Sequence, residues 1–163
     1  MSSLVVADNS PIAYLCEINQ IDLLHKLFGD IYVPAAVYHE LRHPRTPASV
    51  RLWALNPPLW LKIDSTSEVD DPATRHLDAG ERAAIALADR LHADLILMDE
   101  RRGTSVCRAK GFEATGTLGI LIRGANRGWV DIADAFQRLK STNFRHSPEM
   151  LEQLLKSHQA KGK

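Results

Sequence analysis

Residues 77–102 read LDAGERAAIALADRLHADLILMDERR, and the fold turns on this stretch. Ala84, Ile85, Ala88 and Leu91 recur at helical spacing and form one apolar stripe. Glu81 lies four residues before Ile85 on the same stripe, so an acid is aimed at the buried side. Asp78 can cap the helix start, and Asp78-Ala79-Gly80-Glu81 has the form of a capping box, which gives both acids a purely structural use. His92-Ala93-Asp94 ends the helix. Leu95-Ile96-Leu97-Met98 is then a continuous apolar run, as expected of a strand covered on both faces, and it stops at Asp99. Asp99-Glu100 could equally open the next helix, where acids suit the helix dipole. A metal site therefore requires other acids to converge on this one.

They are found by working outward. Leu4-Val5-Val6-Ala7 reads as a buried first strand with Asp8 at its carboxyl end, and Ser10 as the cap of a helix with Pro11 in its first position. Ile12, Leu15 and Ile18 give that helix its inner face. Asp22 to Phe28 is a second short helix closed by Gly29. Ile31-Tyr32-Val33 is a second strand, and Pro34 opens the helix AAVYHEL, in which Glu40 shares the inward face of Ala36 and Val37. Residues 44–58 are punctuated by proline, with a short helix around Trp53 and Leu55. Leu59 to Ile63 reads as a third strand at an edge, and Asp64 to Arg75 as a loop. Beyond Asp99 come a basic helix from Arg101 to Lys110 and a short strand at Phe112-Glu113-Ala114. A helix follows Thr115-Gly116-Thr117, another runs from Asp131 to Lys140, and Ser147-Pro148 starts a last one through Leu155. This gives one domain over residues 1–156 and a frayed tail over residues 157–163.

Strands that alternate with helices predict a parallel sheet with helices on both faces. Such sheets bind ligands beyond the carboxyl ends of their strands, where strand order reverses. If the strands ending at Asp8 and Asp99 are neighbours there, the two carboxylates meet, and Glu40 and Glu81 close the ring from flanking helices. Four carboxylates cannot all stay ionised together without cations, and an all-oxygen set suits magnesium or manganese.

The bulk composition agrees with this reading. The 163 residues are 45% hydrophobic and 25% charged, enough for one domain with a real core. Twenty basic residues balance twenty acidic ones, which argues against a generally basic nucleic-acid coat. Cys16 and Cys107 lack CxxC partners and sit among apolar neighbours, as buried thiols in a reducing compartment do. No signal peptide or long apolar run appears, so a cytoplasmic protein with no membrane partner is expected.

The order DNSP after a first strand, AAVYHEL, LDAGERAAIALA, LILMDERRG and TGTLGIL resembles the PIN-domain nucleases, and most of all the branch grouped with VapC-type toxins of toxin–antitoxin pairs. The resemblance runs from about Leu4 to the final helix. It implies a three-layer α/β/α sandwich with a short, mostly parallel sheet, and a metal-dependent ribonuclease using magnesium or manganese. Asp8, Glu40, Glu81 and Asp99 match the family's four acids and would be both metal ligands and catalytic residues. Asn9, Ser10 and Thr117 match its supporting polar positions. The third acid is Glu81 where many PIN domains carry Asp, with Asp78 as a nearby competitor. The implied partners are an RNA substrate, a small antitoxin protein and a second copy of the chain. Arg42, Arg101 and Arg102 are candidates for contacting RNA, although a solvated surface also explains any one arginine.

Three rival readings stand beside this one. A receiver-type phosphoacceptor needs a Lys ending a later strand, which Glu113-Ala114-Thr115 does not offer, and it leaves Glu40 and Glu81 unexplained. Two others are stronger. His39-Glu40-Leu41-Arg42-His43 is literally HExxH, in which two histidines on one helical face hold zinc and the glutamate acts as base. Pro44 disfavours helical geometry at His43, and Thr46 and Ser49 stand where the extended motif needs Gly and His. The other rival is a nucleic-acid-binding module that keeps the fold without the chemistry.

Overall fold

In a computed structural model, which describes residues 3–145 and 148–161, five strands form one sheet in the order β3-β2-β1-β4-β5. These are β1 (Val5–Ala7), β2 (Ile31–Pro34), β3 (Leu61–Asp64), β4 (Leu95–Leu97) and β5 (Glu113–Thr115), and every pairing is parallel. The chain steps outward from β1 to β3, returns to pair β4 beside β1, and ends on β5. The order therefore reverses between β1 and β4, where Ala7 lies opposite Leu97 and the Asp8 amide donates to the Leu97 carbonyl at 2.9 Å.

The period of two along each strand sorts the sheet residues between two cores. Val5, Ala7, Ile31, Val33, Leu95 and Leu97 face one side. There they meet α1 (Asn9–Glu17), α2 (Asp22–Phe28), α3 (Ala35–Leu41), α4 (Ala48–Leu55), α7 (Thr117–Asn126) and α8 (Ile132–Lys140), together with the start of α9 (Pro148–Lys161). Val6 and Ile96 face the other side, against α5 (Ala79–Leu91) and α6 (Arg101–Ala109). This is a three-layer α/β/α sandwich. The uninterrupted apolar runs in β1 and β4 follow from burial on both faces; fully burying each such aliphatic side chain stabilises by about 1.5–3 kcal/mol.

Several boundaries differ from the sequence reading. Helix α1 starts at Asn9, with Asp8 as its N-cap, so Ser10 lies inside the first turn and Pro11 is its third residue. Proline is tolerated there because the first-turn amides have no intrahelical acceptor. The third and fifth strands begin later than read, at Leu61 and Glu113, and the acidic loop contains a 3-10 turn at Pro72–Thr74. Helix α9 continues to Lys161, so residues 157–161 are helical, while residues 162–163 of the expected frayed tail lie outside the described residues. No glycine or proline interrupts residues 149–161, and Gly162 is the first breaker. Ser147, expected to start α9, lies outside the described residues. No described helix is long and apolar enough to cross a membrane.

Candidate active site

A cleft of about 700 Å³ opens beyond the carboxyl ends of β1 and β4. Asp8, Glu40, Glu81 and Asp99 all line it, with Asn9, Ser10 and Arg101. Each acid arrives by a different local device. Asp8 is carried in at the end of β1 and is only 5% exposed. Glu40 comes from the last turn of α3, where the Asn9 amide nitrogen donates to its Oε2 at 3.0 Å. Glu81 and Asp78 form a reciprocal capping box at the start of α5. The Glu81 amide donates to Asp78 Oδ1 at 2.8 Å, and the Asp78 amide donates to Glu81 Oε1 at 3.1 Å. The capping role and the cleft-facing role weighed for these acids therefore coexist, and Asp78 itself lines the cleft.

Asp99 is held differently. Thr117, fully buried, donates its backbone N–H to Asp99 Oδ1 at 2.8 Å and its hydroxyl to Oδ2 at 2.7 Å. Gly116, the N-cap of α7, has no side chain with which to cap that helix, and Asp99 supplies the missing acceptor from across the sheet. Thr117 thus stands behind Asp99 and does not line the cleft.

Two glycines make room for these carboxylates. A Cβ on Gly80 would come 2.8 Å from Glu40 Oε1 and 3.3 Å from Asp8 Oδ1. Those two oxygens are therefore no farther apart than the two distances laid end to end. A Cβ on Gly116 would collide with Asp99 Oδ1.

The electrostatics follow from this crowding. Burial, and then the charges of Asp78, Glu81 and Glu40, push the Asp8 carboxyl up to about 7, against the opposing pull of the Asn9 backbone amide. Burial raises Glu40, helped by Asp78, and raises Glu81, helped by Asp78 and Glu100. Burial also raises Asp99, opposed by its two bonds from Thr117. The repulsion is thus concentrated on the Asp8 side of the cleft, while Asp99 stands apart in the grip of Thr117.

The donor set fits a hard divalent cation. All the side chains are oxygen donors, and Asn9 Oδ1 is a buried oxygen without a hydrogen-bond partner beside Glu40. Such an orphan acceptor costs about 1–3 kcal/mol unless something polar meets it. Among the described residues no three His, Cys, Asp or Glu side chains are gathered tightly enough to enclose one ion. Magnesium asks less, since it is commonly held through one or two carboxylates with water completing its shell.

The histidines do not join the site. Helix α3 ends at Leu41, so His43 lies beyond it, and its Nδ1 accepts from the Arg45 amide at 3.1 Å. Both His39 and His43 are exposed. They cannot present two nitrogens from one helical face, and the zinc-peptidase pattern is a coincidence of letters. Of the three arginines singled out, only Arg101 lines the cleft. Arg42 lies over the Tyr38 ring, and Arg102 donates to the His76 carbonyl at 2.9 Å.

The sequence reading did not anticipate the rest of the cleft lining, to which Tyr14, Leu118, Asn143, Phe144, Arg145 and Met150 belong. Tyr14 falls outside the apolar stripe of α1, and nothing in the pattern of residues 143–150 ties that segment to the strand ends.

A parallel sheet with its acids gathered at the switch point defines a nuclease-like α/β/α domain. A family profile described as a PIN domain matches residues 4–160, and the chain belongs to the PIN-domain family, a family of nucleases. No curated protein matches the chain.

Proposed function

We propose that this protein is a divalent-metal-dependent endoribonuclease, with Asp8, Glu40, Glu81 and Asp99 holding magnesium or manganese. The observation that carries the reading is the meeting of those four acids, from four separate elements, in one cleft at the reversal of strand order. Divalent ions bound there supply an activated water and offset charge building on the phosphate during hydrolysis. The protein's own part is positional. Thr117 fixes both oxygens of Asp99, Asn9 orients Glu40, and the capping box commits one oxygen of Glu81 to the Asp78 amide, leaving the other for the cleft. Arg101, which lines the same cleft, would take a phosphate of the substrate.

The motif order also supports a toxin role, with a small antitoxin as partner and a homodimer as assembly. Growth arrest on expression, relieved by a small neighbouring gene product that co-purifies with the protein, is the expected result for that part.

The direct test is incubation of total RNA with the purified protein. Cleavage is expected with magnesium or manganese and none with chelator; a protein that never cuts under any of these conditions would instead be a binding module. His39→Ala and His43→Ala are expected to leave folding and cleavage within about 0.5 kcal/mol of wild type, as exposed substitutions do. Loss of activity together with loss of tightly bound zinc in those variants would revive the peptidase reading.

Gly116→Ala is expected to lower cleavage by about 10- to 100-fold. The new methyl group displaces Asp99 from its two bonds to Thr117, and disturbing groups that orient a metal ligand typically costs that much. Gly116 sits at φ −106°, which any residue adopts, so the fold itself should survive. Unchanged kinetics in this variant would show that the position of Asp99 is immaterial.

A further inference from the structure

The residues that line the cleft are of two unlike kinds. The carboxylates make one. The other is aromatic and apolar, and carries a guanidinium, with Tyr14 from α1, Leu118 from the first turn of α7, and Phe144, Arg145 and Met150 from the chain around the start of α9. Tyr14 and Phe144 meet edge to face, with ring centroids 5.0 Å apart at 88°. Both rings are half-buried and seated on the larger core, so they are anchored from behind while bordering the cleft in front. The phenol stands in the field of both Asp99 and Arg145; burial first, and then the Asp99 charge, keep it protonated and able to donate. Arg145 itself is exposed.

Hard cations are held by oxygen, and of this second group only Tyr14 and the neighbouring Asn143 carry a side-chain oxygen. Its chemistry suits the other parts of a nucleotide. Bases stack on aromatic side chains and guanidinium planes, and a guanidinium can also take a phosphate through paired hydrogen bonds. Together the two groups match the two ends of a nucleotide, with its phosphodiester over the acids and its base on the rings. The cleft's volume is within the range of small-ligand sites, roughly 300–1,000 Å³, and leaves room for one nucleoside.

We propose that Tyr14, Phe144 and Arg145 form a ledge that receives one unstacked base of a single-stranded nucleic acid beside the carboxylates, with the guanidinium on the adjoining phosphate. The proposal rests on the nuclease reading, and it adds which residues receive the base. A base within a duplex has both faces covered by its neighbours, so the ledge admits single strands and refuses paired ones.

The test measures the affinity of the full-length Asp8→Asn protein for a labelled single-stranded RNA hexamer in magnesium, by fluorescence anisotropy. Hexamers with one abasic position moved along the strand, and the matching duplex, serve as further probes. One abasic position is expected to weaken binding about tenfold. Tyr14→Leu, which keeps apolar volume against the core, should cost the same factor with the intact hexamer. It should cost nothing with the hexamer already abasic at that position. Tyr14→Phe should retain most of the affinity, and the duplex should bind at least tenfold more weakly than the single strand. Four results would overturn the proposal. These are no binding of the hexamer, no sensitive abasic position, equal losses for intact and abasic strands in Tyr14→Leu, and equal affinity for the duplex. The nuclease reading fails on a separate readout, namely cleavage of RNA by the wild-type protein, so the two failures are told apart.

Discussion

Asp8→Asn is expected to cut RNA at least about a hundredfold more slowly than wild type while folding normally. Removing this carboxylate withdraws a charge from the place where a cation must be held, and cation stabilisation of a developing phosphate charge is worth several kcal/mol. Every 1.36 kcal/mol of barrier is a factor of ten, so a hundredfold fall requires only part of that sum. The substitution is conservative for the fold. Asparagine keeps an oxygen to accept from the Asn9 backbone amide, and the Asp8 side chain makes no capping bond in α1 that could be lost. Asp99 would be a poorer choice for this test because its carboxylate also caps α7. The assay is a cleavage time course in magnesium beside a thermal melt of each protein. A folded Asp8→Asn variant with full activity would end the assignment of this cleft as the active site.

The same residue governs the second large effect, on stability without metal. The Asp8 carboxyl ordinarily titrates near 3.8 and in the folded protein near 7. Between those pH values the folded chain keeps a proton that the unfolded chain has released. Stability from this group is therefore greatest below about pH 4, declines as pH rises through 7, and is flat beyond. At 1.36 kcal/mol per unit the loss is on the order of 4 kcal/mol. For a chain of this size that corresponds to roughly 10 °C in Tm. The raised carboxyls of Glu40, Glu81 and Asp99 act in the same direction. Exposed acids with lowered values, Asp64 and Asp71, act in the opposite one. Comparing wild type with Asp8→Asn cancels both sets. In chelator the variant should be the more stable at pH 8 and nearly equal at pH 4. Magnesium should narrow the gap by stabilising wild type, by about 2.7 kcal/mol at a hundred times its dissociation constant. Melts of both proteins at the two pH values, with and without magnesium, read this directly. Parallel pH profiles in chelator would mean that Asp8 is not held in a crowded, buried position.

Much of this was legible in the chain itself. Where a run is apolar on both strand faces, as in Leu95-Ile96-Leu97-Met98, hydrophobicity alone dictates a covered strand, and Asp99 after it must stand near the sheet's end, although the strand itself stops at Leu97. Spacing put Glu81 and Glu40 on inward helix faces for the same reason. Contacts between segments distant in the chain were not legible. Thr117 could be matched to a supporting position by resemblance, but its two bonds to Asp99 across 18 residues depend on β4 pairing with β5. Tyr14 lies off its helix's apolar stripe because its ring packs against Phe144, a residue from near the other end of the chain. The early start assigned to the last strand reflects the same limit. Phe112 reads as strand by composition, yet Glu113 is the first residue to find a partner, opposite Leu95. Residues 157–163 read as a frayed tail by polarity, although no breaker stands among residues 157–161, which continue the helix.

The parts of the cleft enter the chain far apart in time as well as in sequence. Asp8 leaves the ribosome first, Glu40 and Glu81 follow, and Asp99 has no clamp until Thr117 has emerged and β5 has docked. Phe144 comes later still. At synthesis rates of about 5–20 residues per second, Asp8 waits several seconds for Thr117 to be made. A nascent chain therefore carries a disassembled cleft throughout that interval, and no amino-terminal fragment ending before Thr117 can carry the fully assembled site. The scatter of these residues along the chain delays assembly of the site until its carboxyl-terminal contributors have been added.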